Sequence, residues 1–214
     1  MTKLIKRFFI KVLGLKNYLR ILQRLFFLLY RTGVLRCNSS FEYYYFAKHL
    51  IDKGDIIIDI GANLGYYSFL FAQWTGDSGR VLAFEQDAAC REIFNEKAKK
   101  YKNITLYPYT LRAEVQIEKP SVLFGNLDRI NYIRCDIEGF EYIILSDMKE
   151  IISEYKPIIQ VKSSPDNTER LLELFDELGY APYKLYKYRL IPQNEEYISI
   201  PGDYFFIADS TPEQ

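Results

Sequence analysis

The chain contains only one histidine, His49, among its 214 residues, and only three cysteines. One histidine excludes a metal site built on three histidines, and a lone histidine is more typical of a surface or core position than of a general base. Cys37, Cys90 and Cys135 are widely spaced and form no Cys-x-x-Cys pair, which argues against a disulfide scaffold and against zinc. This cysteine usage favours a reducing, cytoplasmic location.

Acidic residues and long apolar runs are both missing from the first part of the chain. Residues 1–36 hold nine of the 28 lysine and arginine residues but none of the 28 acidic residues, so the remainder of the chain is acidic. The apolar run at residues 25–30 is far shorter than the roughly 20 residues needed to span a bilayer. Lysines interrupt the apolar pattern early and no small-residue cleavage site follows. We therefore expect neither a membrane-spanning helix nor a signal peptide.

Apolar residues recur at helical spacing through residues 4–35, with basic residues between them. This pattern predicts one or two amphipathic basic helices. Two interpretations stand: the helices cover one side of the core, or they lie peripherally on an anionic membrane at its inner face. Nucleic-acid binding is not expected, because no stacking platform or recognition motif accompanies the charges. We treat residues 1–40 as an N-terminal extension and residues 41–214 as one domain.

The most informative stretch is a glycine turn between a buried strand and a helix, at residues 56–71. Gly61 can adopt backbone angles closed to other residues, and Gly65 leaves room for a ligand or for packing of helix on strand. We expect the turn to leave backbone N–H groups free for a ligand. Alternatively, the glycines serve packing only and Asp59 caps the helix.

This turn reads Asp-x-Gly-x-Asn-x-Gly, from Asp59 through Asn63 to Gly65, and lacks the third glycine of the dinucleotide fingerprint. A carboxylate there repels a pyrophosphate but suits the positive charges of S-adenosylmethionine, which disfavours a nicotinamide-dependent oxidoreductase. Glu85 follows a second apolar run, twenty residues after Gly65. An acid at that place can accept hydrogen bonds from a ribose diol.

The remaining elements alternate between apolar strands and amphipathic helices, which predicts an α/β fold. Besides the strand and helix of the glycine turn, we expect helices at residues 41–51, 88–101, 142–155 and 166–178, and strands at residues 81–85, 104–107, 130–135 and 157–161. A closing hairpin is expected at the end of the chain, turning at residues 192–194 and returning through residues 204–207.

Three motifs together resemble the FkbM-type family of S-adenosylmethionine-dependent methyltransferases. They are Asp-Ile-Gly-Ala-Asn-Leu-Gly-Tyr-Tyr at residues 59–67, Phe84-Glu85, and Ile-Arg-Cys-Asp-Ile-Glu-Gly-Phe-Glu at residues 133–141. The resemblance covers residues 41–207. It implies the class I methyltransferase fold, a Rossmann-like three-layer sandwich with a mostly parallel seven-stranded sheet and a C-terminal antiparallel hairpin. It also implies methyl transfer to a hydroxyl of a saccharide or secondary metabolite.

Each candidate residue has an expected role. Asp59, Gly61 and Asn63 are expected to line the methionine side of S-adenosylmethionine, with Gly65 in the same turn. Glu85 is expected at its ribose, and the segment around residues 106–109, which includes Tyr107, at its adenine. Asp136, at the carboxyl end of a strand, is the first candidate for general base or acceptor-orienting residue. Glu138 and Glu141 follow as substrate-binding or structural acids, and Glu141 equally suits charge balance at a helix N-terminus. Clustered acids could alternatively bind Mg²⁺.

The sequence departs from the family pattern near this expected site. Gln86 replaces the usual proline, Arg112 lies in a segment that is usually small, and Lys162 holds a position commonly occupied by glutamate. The region between residues 111 and 129 is also short. These departures motivate an alternative function, a catalytically silent scaffold that binds cofactor or a membrane surface. Lys162 could bind an anionic substrate group or pair with Glu138.

Overall fold

A computed structural model describes residues 3–108, 123–124, 127–193 and 202–208. The strands of its sheet are β1 (Ile56–Ile60), β2 (Arg80–Phe84), β3 (Ile104–Tyr107), β4 (Tyr132–Cys135), β5 (Ile158–Ser163), β6 (Tyr180–Tyr186), β7 (Arg189–Pro192) and β8 (Gly202–Ala208). Their order is β3-β2-β1-β4-β5-β8-β6-β7. The first five strands are parallel, whereas β8 is antiparallel to both of its neighbours, β5 and β6.

The described α-helices precede and alternate with these strands. They are α1 (Lys3–Leu13), α2 (Leu15–Arg31), α3 (Glu42–Phe46), α4 (Tyr66–Thr75), α5 (Ala88–Ala98), α6 (Glu141–Asp147), α7 (Lys149–Tyr155) and α8 (Thr168–Glu177). Short 3-10 helices occupy Val34–Cys37, Ser39–Phe41 and Ala47–Leu50. The single helix expected at residues 142–155 is therefore two, separated at Met148.

Apolar cores on both faces of the sheet make the predicted three layers. On one face, α6, α7 and α8 pack against strand residues such as Ile58, Ile133 and Ile159. On the other face, α4 and the segment around Ala47 pack against the alternate residues, including Ile57. Every residue of β1 is buried, as expected for a strand covered on both sides.

The sheet has eight strands rather than seven because the C-terminal part turns earlier than the sequence suggests. β6 and β7 form a hairpin whose turn residues, Lys187 and Tyr188, both have positive φ. The Tyr188 N–H donates to the carboxylate of buried Glu42, which supports this turn without glycine or asparagine. β8 inserts between β5 and β6 and pairs antiparallel with β6, as expected for the returning arm, while β7 is an additional strand at the edge of the sheet.

The two N-terminal helices differ in their surroundings. On α2, Phe27 joins a core cluster with α4 and α5, and the Gln23 side chain donates to the Leu64 carbonyl at 2.7 Å. Lys16 and Arg20 form salt bridges to Glu92 and Glu96 on α5. The apolar residues of α1 are mostly exposed. Within the described ranges, no helix is both long enough and apolar enough to cross a bilayer.

Candidate functional site

The carboxyl ends of the parallel strands meet at one edge of the sheet, where open α/β sheets bind ligands. A cavity of about 290 Å³ lies at this edge. Its lining comes from the glycine turn, the ends of β4 and β5, and an aromatic wall on α3 and α4. The lining residues are Tyr44, Gly61, Ala62, Asn63, Tyr66, Tyr67, Arg134, Asp136, Glu138 and Lys162.

Asp59 is fully buried and lies beneath this cavity rather than in its lining. The Ser68 hydroxyl donates to one of its carboxylate oxygens at 2.5 Å, and Arg134 Nη1 donates to the other at 2.9 Å. The parallel register of β1 and β4 sets Asp59 directly opposite Arg134. Burial tends to lower the pKa of the Arg134 guanidinium, but Asp59 and Asp136 raise it well above its ordinary value. This buried ion pair is part of the floor of the site.

The N–H groups of residues 61–65 are all used within the protein, so the free N–H groups expected at this corner do not lie in these five residues. The N–H groups of residues 61–65 donate, in order, to the Phe84 carbonyl twice, to Glu85 Oε2, to Asn63 Oδ1 and to the Ala62 carbonyl. These five residues therefore offer no nest for a phosphate. This finding strengthens the argument from charge against a pyrophosphate ligand.

Gly61 and Gly65 are both required, but for different contacts. Each has a positive φ, and a side chain at Gly61 would collide with the Asp136 carbonyl oxygen. A side chain at Gly65 would collide with Phe69 and Phe94, on α4 and α5. Gly61 therefore lets the two ligand-facing turns approach each other, whereas Gly65 allows close packing of helices and does not line the cavity.

Glu85 stands at the carboxyl end of β2, as expected, and is 8% exposed. One of its oxygens accepts the Asn63 N–H and the other accepts the Asp87 N–H, both at 2.7 Å. Two backbone donors fix the carboxylate beside the glycine turn, and each oxygen retains a further lone pair. Gln86 is exposed, and only its carbonyl contacts this corner, by accepting from Arg91. The replacement of proline by Gln86 thus leaves Glu85 in place.

Asp136 faces the cavity between two cations. Arg134 Nη2 donates to Asp136 Oδ2 at 2.5 Å, and Lys162 Nζ lies 3.8 Å from Asp136 Oδ1. The Asp136 side chain is 25% exposed, and that of Lys162 is 51% exposed. Lys162 therefore pairs with Asp136 and not with Glu138. Glu138 is exposed at the rim and has neither a hydrogen bond nor a salt bridge to any residue that the structure describes.

Glu141 points away from the cavity. It is 1% exposed, and its two oxygens accept from the Gly139 N–H at 3.2 Å and from the Asn167 side chain at 2.8 Å. These contacts tie the turn after β4 to the segment that precedes α8. Of the three acids in this motif, the structure thus brings Asp136 and Glu138 to the cavity and gives Glu141 a structural position.

Sequence reasoning missed the polar network behind the cavity. Tyr132 donates to Gln160 at 2.7 Å, and Gln160 donates to the Tyr67 hydroxyl at 2.9 Å, all within the core. The Arg134 guanidinium lies 4.3 Å from the centroid of the Tyr67 ring, and the Tyr44 ring stacks on Tyr67 with centroids 4.0 Å apart. The signal for this network was a set of polar residues inside apolar strands, each of which requires a buried partner.

The remaining predicted positions are less informative. Tyr107 stacks on Phe84 with ring centroids 4.7 Å apart, next to the Glu85 corner. Tyr109, expected near an adenine, and Arg112 lie outside the described residues. His49 is exposed and is not among the residues that line the cavity. Among the described residues, no three His, Cys, Asp or Glu side chains are arranged to hold a metal ion.

Comparison with known proteins supports the family resemblance. Residues 112–182 match the family model of the methyltransferase FkbM domain, a segment that includes the motif at residues 133–141. The match confirms the resemblance inferred from that motif, although it covers less than half of the chain. No curated protein matches the chain at a significant level.

Solved structures share the fold of this chain over 74–81% of its length. Methyltransferase FkbM from Methylobacillus flagellatus is 19% identical, with a TM-score of 0.56 over 78% of this chain and 48% of that chain. A putative rRNA methylase from Clostridium thermocellum is 14% identical, with a TM-score of 0.56 over 81% and 98%. Fibrillarin from Aeropyrum pernix, solved with natively bound S-adenosyl-L-methionine, is 9% identical, with a TM-score of 0.53 over 74% and 68%. The predicted fold class is thereby confirmed.

Proposed function

We propose that this chain, which resembles the FkbM-type family and has the class I methyltransferase fold, is an S-adenosylmethionine-dependent methyltransferase. Its acceptor in this proposal is a hydroxyl of a saccharide or a similar metabolite. One observation carries the proposal: fixed carboxylates at the carboxyl ends of two parallel strands, Glu85 and Asp136, flank the same glycine turn. The first suits a ribose and the second suits an acceptor hydroxyl.

The residues present fit this cofactor. Glu85 is held by two backbone donors with a lone pair left on each oxygen, which suits the two hydroxyls of a ribose. Gly61 and Asn63 line the cavity beside it, where the methionine portion is expected. Asp59 acts indirectly, because it fixes Arg134 beneath the cavity rather than touching a ligand. When bound, S-adenosylmethionine would supply a methyl group on a sulfonium, whose sulfur leaves as a neutral thioether.

Asp136 orients the acceptor in this proposal. Its carboxylate, fixed by Arg134 and Lys162, accepts a hydrogen bond from the acceptor hydroxyl and aims the oxygen at the methyl group. Asp136 receives the hydroxyl proton along this hydrogen bond as the new C–O bond forms. Glu138, which has no partner among the described residues and stands at the rim, then takes the proton from Asp136 through water. Catalysis then consists mainly of holding two reactants in line and removing one proton.

The saccharide class is supported by the aromatic wall. Tyr44 and Tyr66 line the same cavity as Asp136, Glu138 and Lys162. A sugar ring has one relatively apolar C–H face and a rim of hydroxyls, so it can pack on an aromatic ring while polar groups bind its edge. Lys162 is available at the rim to bind a further hydroxyl or an anionic substituent.

Calorimetric titration with S-adenosylmethionine and S-adenosylhomocysteine tests cofactor binding. We expect micromolar affinity for the parent chain and at least about a 30-fold loss for Glu85→Ala, because two ribose hydrogen bonds to a charged group are removed. Glu173→Ala, the same substitution at an exposed position of α8, is the matched control and should bind as the parent does. Absence of binding by the parent would overturn the proposal.

Asp136→Asn tests the chemical step. With a panel of saccharide acceptors and radiolabelled cofactor, we expect the rate of transfer to fall by about 100-fold or more, with cofactor affinity changed much less. Glu138→Gln should lower the rate by a smaller factor and flatten its increase with pH. An unchanged rate in both variants would show that neither carboxylate takes part in the reaction.

A catalytically silent scaffold is the second candidate, and the two cations on Asp136 favour it. If Arg134 and Lys162 neutralise the acid completely, the chain would bind cofactor without transferring its methyl group. Lys162→Met separates the two candidates better than Lys162→Glu, which would place a second anion against Asp136. Transfer that appears only in Lys162→Met would establish that Lys162 suppresses the reaction.

A further inference from the structure

The first helix presents an apolar stripe to solvent. Leu4, Phe8 and Val12, spaced four residues apart on α1, are 80%, 62% and 63% exposed. Ile5 and Phe9 widen the stripe along the same helix and are also exposed. Large aromatic and aliphatic side chains in such a row are not the scattered single residues that ordinary protein surfaces contain.

The second helix adds a stripe of its own. Ile21, Leu25 and Leu28 are 47%, 45% and 59% exposed, at the spacing of one helix face. Gln23 and Phe27 are buried on a different face of α2, against the glycine turn, α4 and α5. Tyr18, also buried, lies in line with the stripe but one turn nearer the start of the helix. The core therefore leaves the part of the helix that carries Ile21, Leu25 and Leu28 largely uncovered.

Basic residues surround these stripes without being used by the fold. Lys6, Arg7 and Lys11 on α1 are exposed and form no salt bridge with the described part of the chain, unlike Lys16 and Arg20 on α2. No acidic residue occurs anywhere in residues 1–36. An apolar stripe flanked by unpaired cations is the combination that lies in the headgroup region of an anionic bilayer.

We propose that α1 and the uncovered stripe of α2 form a docking face for a membrane surface that carries anionic lipid. A second copy of this chain is disfavoured as the occupant, because symmetric pairing would bring two basic faces together. A nucleic acid would use the charges but would leave the apolar stripes unexplained. The docking face does not depend on the methyl-transfer function.

Co-sedimentation of the full chain with vesicles tests this proposal. We expect binding to vesicles that contain phosphatidylglycerol in phosphatidylcholine, and much weaker binding to phosphatidylcholine alone. Lys6→Glu, Arg7→Glu and Lys11→Glu together should weaken binding by at least about 100-fold, since each basic residue contributes severalfold near an anionic surface. Lys48→Glu, Lys100→Glu and Lys102→Glu together, an equal charge change at exposed positions elsewhere, should weaken it far less.

A second pair of variants tests the apolar contribution. Phe8→Glu with Val12→Glu should lower vesicle binding by about tenfold or more, whereas Ile143→Glu with Ile191→Glu, at other exposed apolar positions, should change it little. The melting temperature and cofactor titration of every variant report whether the core is intact. Equal loss in test and control variants, or no binding to anionic vesicles, would overturn the proposal. So would a dimer in light scattering that Phe8→Glu with Val12→Glu abolishes.

Discussion

The turns after β1 and after β4 both carry acids at the same edge of the sheet, yet they are built differently. In the first turn, Asp59 is fully buried, and all five N–H groups of residues 61–65 donate within the protein. In the second turn, Asp136 and Glu138 line the cavity, and Asp136 is held there by Arg134. Glu141 is buried away from the cavity, where two protein donors hold its carboxylate. The first turn supports the structure of the site, whereas the second turn presents carboxylates to a ligand.

Arg134 joins the two turns. Its guanidinium contacts the buried carboxylate of Asp59 on one side and the cavity-facing carboxylate of Asp136 on the other. A single cation therefore satisfies an acid that no ligand reaches and fixes an acid that a ligand does reach. The sequence motifs do not show which acid is structural and which faces a ligand, because both acids simply precede a turn. The burial of the two side chains does show it.

Arg134→Met should have the largest effect on this arrangement. Removing the guanidinium leaves the Asp59 carboxylate buried without its cation, and we expect unfolding free energy to fall by about 3–5 kcal/mol in urea titrations. Lys162→Met removes the more exposed cation on Asp136 and should change stability by less than about 0.5 kcal/mol.

A double variant identifies the cause of that loss. Asp59→Asn combined with Arg134→Met removes the stranded charge and should recover at least about 1 kcal/mol relative to Arg134→Met alone. If the double variant is less stable than Arg134→Met, the loss comes from packing of the Arg134 side chain against Tyr67 and not from the unpaired carboxylate.

The sequence predicted the main frame of the fold and the antiparallel return through residues 204–207, but not the hairpin of β6 and β7. Strand, glycine turn, helix and the acid of Glu85 follow from apolar periodicity and glycine placement, which act over short distances. The β6–β7 hairpin turns at Lys187 and Tyr188, two residues without turn propensity, because distant Glu42 supports the turn. A contact across 146 residues leaves no local pattern.

Only part of the candidate site was predicted, because some of its contacts also join residues that are far apart in the sequence. Asp136, Glu138 and Glu85 were identified because each follows an apolar run. Arg134 was not assigned a role, since its partner Asp59 is 75 residues away and only the register of β1 with β4 sets them opposite each other. A charged residue inside an otherwise apolar strand was nevertheless a usable signal, because such a residue requires a buried counter-charge.

Glu141→Gln tests whether Glu141 is structural while Glu138, in the same turn, is not. A glutamine can accept from only one of the two donors at this buried position and presents an N–H to the other, so we expect stability to fall by about 2 kcal/mol. Glu138→Gln, the same chemical change three residues earlier at an exposed position, should lie within about 0.5 kcal/mol of the parent. Equal effects at the two positions would contradict the structural position given to Glu141.

Asp203 on β8 extends the comparison to a third acid, directly across from Lys162 in the β5–β8 register. Burial raises the pKa of its carboxyl from its ordinary value of 3.8 to about 6, against the opposing influence of Arg134. Between these two values the folded state binds more protons than the unfolded state, so this residue makes stability fall as pH rises. The contribution is fully present below the lower value and is lost above the higher one.

Asp203→Asn should therefore stabilise the protein only at neutral pH, and this is the smallest effect expected here. We expect a gain of about 1–2 kcal/mol at pH 7, discounted because water reaches part of the residue, and almost none near pH 4. Urea titrations of the parent and variant at both pH values measure the difference, and Asp77→Asn, at an exposed acid, should show none. A gain that is the same at both pH values would mean that the gain does not come from the ionisation of Asp203.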